Sequence, residues 1–357
     1  MEIENFINKF NNIDELIDGI KKLNLDYKNY ESDKLLLVKY NKNKSDMSNS
    51  LVVKFRGVII SYFNELKIIC IPPYKSERLD LNFNNLIENW NQAKFEEFID
   101  GTMINLFYNN GQWLISTRSC LHAECNWFSE KTFKNMFEEA NNINFNLLNI
   151  SYSYTFVLQH PENIIVKKYN QPKITLVHIM DLTNYELLDI EKFSNIFNIP
   201  KKINCKNFED INVLLEDENY ENQGIIIKFN NKRFKLRNLN YIKVRYLRGN
   251  TNSLKYRYLE LKKEKKIKLF LKYYPEYIKN FNEYNNIFQN IVKKLHNLYT
   301  QKYIKKINIK VNKTYKYILY NIHSIYLKNK NLITQSVIIN FLNSLNCSEL
   351  YSLIFKE

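Results

Sequence analysis

The sequence predicts an α+β fold in which an antiparallel sheet is followed by an all-helical domain. From Lys34 onward, short runs with apolar residues at alternate positions are separated by Asn-Gly and similar turns, a pattern typical of strands joined by hairpins. After Gly249 the apolar residues recur every three or four positions, which is the period of amphipathic helices. We therefore expect a mixed domain over residues 1–248 and a helical domain over residues 249–357.

The mixed domain is predicted to begin with helix. Residues 1–24 place apolar side chains on one side of a helix with acidic residues between them, and we assign residues 1–30 to a helical preface. A helix is also expected over residues 129–142, with Ser129 as its N-cap. The strands predicted between these helices are "KLLLVKYN", "SLVVKFRGVIIS", "LKIICIPP", "MINLFYNN" and "QWLISTRS".

The second half of the mixed domain returns to strand. The segments "YSYTFVLQ", "NIIVKKY" and "KITLVHIMDL" have the pattern of strands, a helical piece lies near residues 189–198, and "FEDINVLLED" is predicted as a short helix. The long segment "NQGIIIKFNNKRFKLRNLNYIKVRYLRG" is assigned to strand, with Asn230 and Asn231 turning a hairpin.

The chain carries a formal net charge of +15, and the excess lies at one end. Residues 250–357 hold 20 Lys and Arg against 6 Glu and no Asp, whereas residues 1–249 hold 32 basic and 31 acidic residues. A segment so basic and so rich in Tyr and Phe attracts nucleic acid by counterion release and offers surfaces for stacking. AT-rich coding also favours Lys, Asn and Tyr, but it does not explain why the charge is confined to one segment.

Several classes of protein and site are disfavoured. No stretch approaches the roughly 20 apolar residues of a membrane span, and the acidic N-terminus lacks the pattern of a secretory signal. We expect a cytoplasmic protein without membrane contact, in the host cytoplasm or virion if its source is viral. Five scattered cysteines favour reduced thiols. The cluster of Cys120, His122 and Cys125 lacks a fourth ligand at suitable spacing, so no metal site is predicted.

An ordered set of short motifs resembles the covalent nucleotidyltransferases, the superfamily of RNA ligases, DNA ligases and mRNA-capping guanylyltransferases. The set is most similar to phage-type RNA ligases and to RNA-ligase-like proteins of giant viruses. The resemblance covers roughly residues 50–248 and implies an antiparallel nucleotidyltransferase fold, with RNA as partner and an adenine nucleotide as ligand. The motifs are, in chain order, Arg56-Gly57, Asp100-Gly101-Thr102, Ser116-Thr117-Arg118, "YTFVLQHPENIIV" (154–166), "QGIIIK" (223–228) and "KLR" (235–237).

The resemblance also identifies a missing nucleophile. In the family, a lysine in a Lys-x-Asp-Gly turn attacks the α-phosphate of ATP and carries AMP, and the matching residue here is Phe98. A phenyl ring has no nucleophilic atom, so no catalytic residue is predicted. Lys94 is only a weak candidate, because four residues of strand at about 3.3 Å each separate it from the reacting position.

Two glutamates of the family pattern are replaced as well. Gln159 and Gln223 stand where the family places carboxylates that help bind the divalent metal and the ribose or lysine environment. An amide keeps the size and a carbonyl acceptor but is a poor partner for Mg²⁺. The loss of one Lys⁺ together with two Glu⁻ leaves no unpaired buried charge, which is a coherent loss of adenylyl transfer.

The remaining matched residues are mostly cations. Lys235 and Arg237 alternate on a predicted strand and therefore share one face. With nearby carboxylates neutralised, such a pocket favours a phosphate by charge alone, although each cation taken singly also fits a solvated strand edge. The candidate nucleotide- or phosphate-binding residues are Arg56, Lys75, Asp100, Gly101, Arg118, Gln159, Gln223, Lys228, Lys235 and Arg237.

Three functions are compatible with these residues. We favour a degenerate, RNA ligase-like protein that binds a nucleotide or RNA phosphate without adenylyl transfer and binds nucleic acid through its basic helical domain. An active ATP-dependent RNA ligase would instead use another lysine, with ATP or AMP and Mg²⁺ as cofactors. A structural or packaging protein would bind nucleic acid through its tail, while the matched residues only filled the core.

Overall fold

Three antiparallel sheets make up the strand part of the fold, and the predicted α+β class is confirmed. The computed structural model describes residues 1–79, 83–230 and 232–356, with the side chains of residues 83–85 outside that description. The strands are β1 (Leu25–Tyr30), β2 (Leu35–Tyr40), β3 (Arg56–Ser61), β4 (Lys67–Cys70), β5 (Lys94–Glu97), β6 (Thr102–Asn109), β7 (Gln112–Ser116), β8 (Tyr152–Gln159), β9 (Lys173–Asp181), β10 (Glu186–Leu187), β11 (Gly224–Phe229) and β12 (Lys232–Arg237).

The strand orders are β1-β2-β3-β4, β10-β9-β8-β6-β7 and β12-β11-β5. The β6-β7 hairpin turns through Asn110 (φ +46°) and Gly111 (φ +83°), the left-handed pair that a two-residue turn between twisted strands needs. In the β11-β12 hairpin Asn230 is also left-handed, with a φ of +48°, and Asn231 lies outside the described residues.

The helices precede, connect and follow the sheets. A 3-10 turn at Ile190–Phe193 and a π-helical turn at Thr300–Ile304 accompany them. The α-helices are α1 (Glu2–Ile7), α2 (Ile13–Lys22), α3 (Phe83–Glu88), α4 (Phe133–Ala140), α5 (Phe208–Leu215), α6 (Leu239–Arg248), α7 (Leu254–Lys263), α8 (Ile267–Tyr273), α9 (Ile278–Tyr299), α10 (Lys313–Asn329), α11 (Gln335–Ser344) and α12 (Cys347–Phe355).

The chain divides into two units, Met1–Arg245 and Tyr246–Glu357. The boundary falls inside α6, close to the limit at residue 248 that the change of period predicts. All three sheets belong to the first unit, and the second unit contains the helices from α7 onward. Within the described ranges no helix is both long and apolar enough to cross a bilayer.

The three-stranded sheet has two chemically different faces. Phe95, Ile225, Ile227 and Phe234 point to one side and are buried in a cluster that includes Leu86 of α3 and Ile211 of α5. Because side chains alternate along a strand, the opposite face carries the polar and charged residues of the same strands. This face is the structural basis of the candidate site.

The helical preface is shorter than predicted. Its second helix ends at Lys22, Asn24 adopts a left-handed φ of +52°, and residues 25–30 form β1 instead of helix. The prediction was wrong for residues 25–30 because β1 pairs along its whole length with β2, a partner that local helical spacing cannot reveal.

Three further segments differ from the prediction. Residues 163–169 form no strand, since backbone amides there donate to a side chain instead of to a neighbouring strand. Residues 239–248 are helical because the Asn238 side chain accepts from the amides of Asn240 and Tyr241 at 2.7 and 3.2 Å. The helical piece near residues 189–198 reduces to a 3-10 turn.

The helix predicted over residues 129–142 is present but starts later. It begins at Phe133, and its N-cap is Thr132, whose hydroxyl accepts from the Asn135 amide at 3.2 Å. Ser129 instead donates to a carboxylate oxygen of Glu162 at 2.9 Å, so it was wrongly assigned as the cap.

We expect the Phe234→Ala substitution to lower the free energy of unfolding by about 3–5 kcal/mol, because the ring is fully buried and its removal leaves a cavity. Urea denaturation followed by the fluorescence of Trp90, which lies 4.9 Å from the Phe95 ring in the same cluster, would measure the change. The exposed neighbour Lys232→Ala is the control and should stay within about 0.5 kcal/mol of the wild type.

Candidate functional site

A buried carboxylate organises the turn between β5 and β6. One oxygen of Asp100 accepts from the amides of Val166 (3.0 Å) and Lys167 (2.9 Å), and the other accepts from the Tyr241 hydroxyl at 2.8 Å. The Tyr169 hydroxyl donates to the Asp100 carbonyl at 2.8 Å. Burial, followed by the nearby Asp100 carboxylate, raises the pKa of Tyr241, so this hydroxyl remains a donor. Both carboxylate oxygens of Asp100 therefore already accept hydrogen bonds from the protein itself.

The glycine after this aspartate is required by packing. A Cβ added to Gly101 would lie 2.3 Å from the Leu158 carbonyl oxygen and 2.7 Å from Cγ1 of Val157. The carbonyl belongs to the backbone of the neighbouring strand and cannot move aside, so only glycine fits. This close approach accounts for Gly101 without a ligand contact.

The Phe98 ring lies beside two guanidinium groups. Its centroid is 5.2 Å from Cζ of Arg237 and 6.0 Å from Cζ of Arg233, distances at which a cation is attracted to an aromatic face. The Phe98 amide donates to the Gly224 carbonyl at 3.1 Å, which ties this backbone to the start of β11. The position that the resemblance matches to a lysine therefore holds an aromatic ring that attracts the two neighbouring guanidinium groups.

Four cations share one face of the three-stranded sheet. In the register of β11 and β12, Lys228 lies opposite Arg233, Ile226 opposite Lys235, and Gly224 opposite Arg237. We call Lys228, Arg233, Lys235 and Arg237 the cationic face. Sequence reasoning missed Arg233, although its alternation with Lys235 and Arg237 was a signal that could have identified it.

The cations of this face repel one another and are partly withdrawn from water. Desolvation, followed by Arg237, lowers the pKa of Lys235 to about 8. Desolvation, followed by Arg56, lowers the pKa of Arg233 to about 10. Lys228 differs, because its amine pairs with Glu96 at 2.9 Å. The remaining cations repel one another, and a bound anion would reduce this repulsion.

Arg56 and Arg118 lie around one tyrosine. Cζ of Arg118 lies 4.5 Å from the Tyr40 ring centroid, and its guanidinium donates to the Tyr40 carbonyl at 3.2 Å. Arg56 donates to the Pro73 carbonyl at 3.1 Å, and burial lowers its pKa. Because Arg56 also contributes to the lowered pKa of Lys235, it lies within electrostatic range of the cationic face.

Two other lysine candidates are placed differently. The Lys94 amine is 2.7 Å from Asp189 and 3.6 Å from Glu191, and the hydrogen bond to Asp189 raises its pKa. This amine is therefore held protonated by two carboxylates. The Lys75 amide donates to the Val53 carbonyl at 3.4 Å, and no contact within the described residues joins its side chain to the cationic face.

The two glutamines are buried but not equivalent. The amide oxygen of Gln159 accepts from the Thr175 hydroxyl at 2.7 Å. The amide oxygen of Gln223 has no hydrogen-bond partner within the described residues. Gln159 is thus held by the sheet, whereas Gln223 keeps an acceptor that a ligand could use.

The donor set does not fit a divalent metal. Both oxygens of Asp100 already accept hydrogen bonds, Glu96 pairs with Lys228, and the amides at 159 and 223 are weak ligands for Mg²⁺. Nowhere in the described part of the chain do three or more His, Cys, Asp or Glu side chains form a group that could hold a metal ion. The positive charge of the cationic face instead attracts anions.

The pKa of His178 in β9 is lowered by burial and by cations of the cationic face. Desolvation, followed by Lys228 and Arg233, lowers its pKa to about 3. These cations lie on other strands, so sequence reasoning had no means of finding this histidine.

Several buried polar atoms of this site have no hydrogen-bond partner within the described residues. Each such atom costs about 1–3 kcal/mol relative to a paired one, and a polar ligand would recover part of that cost. At this site they include Nε of Arg118, Nε2 of His178, Oε1 of Gln223 and Nε of Arg237.

Comparison with known proteins gives one curated relative. A protein of Autographa californica nuclear polyhedrosis virus, named "Putative bifunctional polynucleotide kinase/RNA ligase", is 27% identical over 173 residues. The match covers 42% of this chain and 24% of that protein, so the chain spans about a quarter of the relative's length. No family model matches the chain.

The solved structures to which the chain is similar include RNA ligases. Naegleria gruberi RNA ligase with PPi has 15% identity and a TM-score of 0.37, over 48% of this chain and 57% of that one. An archaeal ATP-dependent RNA ligase has 11% identity and a TM-score of 0.47, over 70% of this chain and 65% of that one. The word ligase stands in the name of this relative and of both structures.

We expect His178 to make the fold less stable in acid. Its folded-state pKa of about 3 lies below the ordinary value of 6.5, so the unfolded chain binds the proton first and stability falls as the pH drops through this window. Between pH 6.5 and 4.5 the loss should be about 2 kcal/mol.

The His178→Gln variant should lose this part of the pH dependence when the free energy of unfolding is measured with urea at each pH. His122→Gln, at a partly exposed site paired with Asp33, is the matched control. Identical pH profiles for the wild type and His178→Gln would contradict the assignment.

Proposed function

We propose that this chain is an RNA ligase-like protein that binds a nucleotide or RNA phosphate without forming a covalent adenylate. The observation that carries the proposal is the Phe98 ring, which stands where the resemblance requires a lysine and lies 5.2 Å from the Arg237 guanidinium. The ring offers no lone pair for attack on phosphorus. The guanidinium beside it offers the planar donor geometry that suits a phosphate.

The charge of the site supports a phosphate as the ligand. Within the described residues Lys235 and Arg237 make no ion pair, and Arg56 and Arg118 add two further guanidinium groups. Desolvation, followed by repulsion from Arg237, lowers the pKa of Lys235. A bound dianion would oppose this repulsion, so anion binding would favour the protonated amine. No metal ion is needed for this balance.

The rest of the chain supports RNA as the larger ligand. Residues 250–357 carry 14 more basic than acidic residues, which favours a polyanion over an isolated nucleotide. The viral relative carries RNA ligase in its name, which agrees with RNA as the nucleic acid. That relative also agrees with a viral source, and we place the protein in the host cytoplasm or the virion.

One observation favours a second function, adenylyl transfer through a different lysine. The pKa of Lys235 is lowered to about 8, which leaves a larger fraction of its amine unprotonated near neutral pH than for an ordinary lysine. Lys94 lacks this property, because its carboxylate partners raise its pKa. Lys235 is therefore the residue to examine if a covalent adduct forms.

We expect no covalent label when the purified chain is incubated with α-labelled ATP and Mg²⁺ and then denatured. An active RNA ligase treated in parallel supplies the positive control. Label that survives denaturation would reject the proposal. Its loss in Lys235→Ala, but not in Lys94→Ala, would establish the second function instead.

We expect the double variant Lys235→Ala/Arg237→Ala to bind AMP, or a 5′-phosphorylated oligonucleotide, at least about tenfold more weakly, because two charge-assisted contacts are removed. Isothermal titration calorimetry at fixed salt would measure the affinity. Lys9→Ala/Lys22→Ala removes the same charge from exposed positions of the preface and should bind as the wild type does. Equal affinity in both double variants would exclude the cationic face as the binding site.

A further inference from the structure

A groove in the C-terminal unit is lined entirely by lysines and tyrosines. It lies between α10 and the π-helical turn Thr300–Ile304 that follows α9, and its volume is about 310 Å³. We call it the Lys-Tyr groove; its lining residues are Lys302, Tyr303, Lys313, Lys316, Tyr317 and Tyr320.

The helical part of the groove is one continuous face of α10. Lys313, Lys316, Tyr317 and Tyr320 follow the spacing i, i+3, i+4 and i+7, so they line one side of the helix. Tyr315, Ile318, Leu319 and Ile322 form its buried side. The groove side is open to solvent, with Tyr317 65% and Tyr320 68% exposed. Two aromatic rings are thus presented to solvent beside two lysines.

The segment around the groove contains no carboxylate. Residues 284–348 hold ten lysines and no Asp or Glu. None of the groove lysines at 302, 313 and 316 forms an ion pair within the described residues. Their positive charge is therefore available to an external polyanion.

Tyr303 is held in place by a stack of rings. Its centroid lies 4.0 Å from that of His323 with an interplanar angle of 15°, and Tyr326 continues the stack at 5.7 Å from His323. The Lys302 amine lies 5.4 Å from the Tyr303 centroid. A ring already held by its neighbours loses little conformational freedom when a further ring packs against it.

We infer that the Lys-Tyr groove binds single-stranded nucleic acid, with bases stacked on its tyrosines and phosphates held by its lysines. This inference rests on the proposed function and specifies where the basic unit contacts its polyanion. A single strand is favoured over a duplex because its bases expose the faces that tyrosines stack on, whereas duplex bases already stack on each other. An acidic peptide would use the lysines but would leave the exposed rings without a role.

The test measures fluorescence anisotropy of the full-length protein with a labelled oligouridylate of about 12 nucleotides that has no 5′ phosphate. Tyr317→Leu/Tyr320→Leu should weaken binding about a hundredfold, since each stacked base contributes about a factor of ten. Tyr317→Phe/Tyr320→Phe keeps both rings and should stay within about twofold of the wild type.

The lysines are tested through salt dependence. Lys313→Ala/Lys316→Ala should reduce the slope of log affinity against log salt by about 1.4, since each phosphate that is no longer neutralised accounts for about 0.7. Lys293→Ala/Lys328→Ala removes the same charge from exposed positions outside the groove and should leave the slope nearly unchanged.

Three outcomes would overturn the inference: unchanged affinity in the leucine variant, equal affinity for a duplex of the same length, or competition by polyglutamate as strong as that by oligouridylate. A parallel titration with oligodeoxythymidylate tells RNA from DNA. Tighter binding of oligouridylate would establish RNA, and equal binding would establish a site without sugar preference. Both results support the groove. Because the probe lacks a terminal phosphate, failure here leaves the AMP result at the cationic face unaffected.

Discussion

The structure of the candidate site depends on the buried carboxylate of Asp100. It lies between β5 of the three-stranded sheet and β6 of the five-stranded sheet, and it accepts from the amides at 166 and 167 and from Tyr241 of α6. A buried carboxylate without partners costs several kcal/mol. Neither the loop at residues 166–167 nor α6 can therefore move away from Asp100 without a large cost in free energy. The backbone at Phe98, two residues earlier, is therefore held in place whatever side chain it carries.

On the proposed function, this constraint explains how the arrangement of the site persists with Phe98 at the matched position. A lysine at position 98 would lie beside Arg233 and Arg237 and would add a third cation to a partly desolvated site. With glutamines at 159 and 223, no carboxylate at those positions offsets that charge. An aromatic ring is attracted to both guanidinium groups instead. On the proposed function, the residues at positions 98, 159 and 223 thus change the charge of the site together.

Elements that carry their own pattern were predictable from sequence, and elements defined by distant partners were not. β8 and α10 each bury one face, so their periods identify them directly. Residues 163–169 resemble a strand in sequence, yet two of their amides are taken by Asp100. In the site, alternation along β12 predicts the shared face of Lys235 and Arg237. The lowered pKa of His178 depends on cations from other strands, which no local pattern reveals.

The two proposed anion-binding surfaces differ in their exposure to water, and this difference favours different ligands. The cationic face is partly desolvated and rich in guanidinium groups, so its interactions are strong, directional and weakly screened by salt. The Lys-Tyr groove is open and uses flexible lysines beside exposed rings, so its binding depends on salt and tolerates any base. The first design suits a single terminal phosphate, and the second suits a continuous strand. The proposed function, holding an RNA end without joining it, requires both properties.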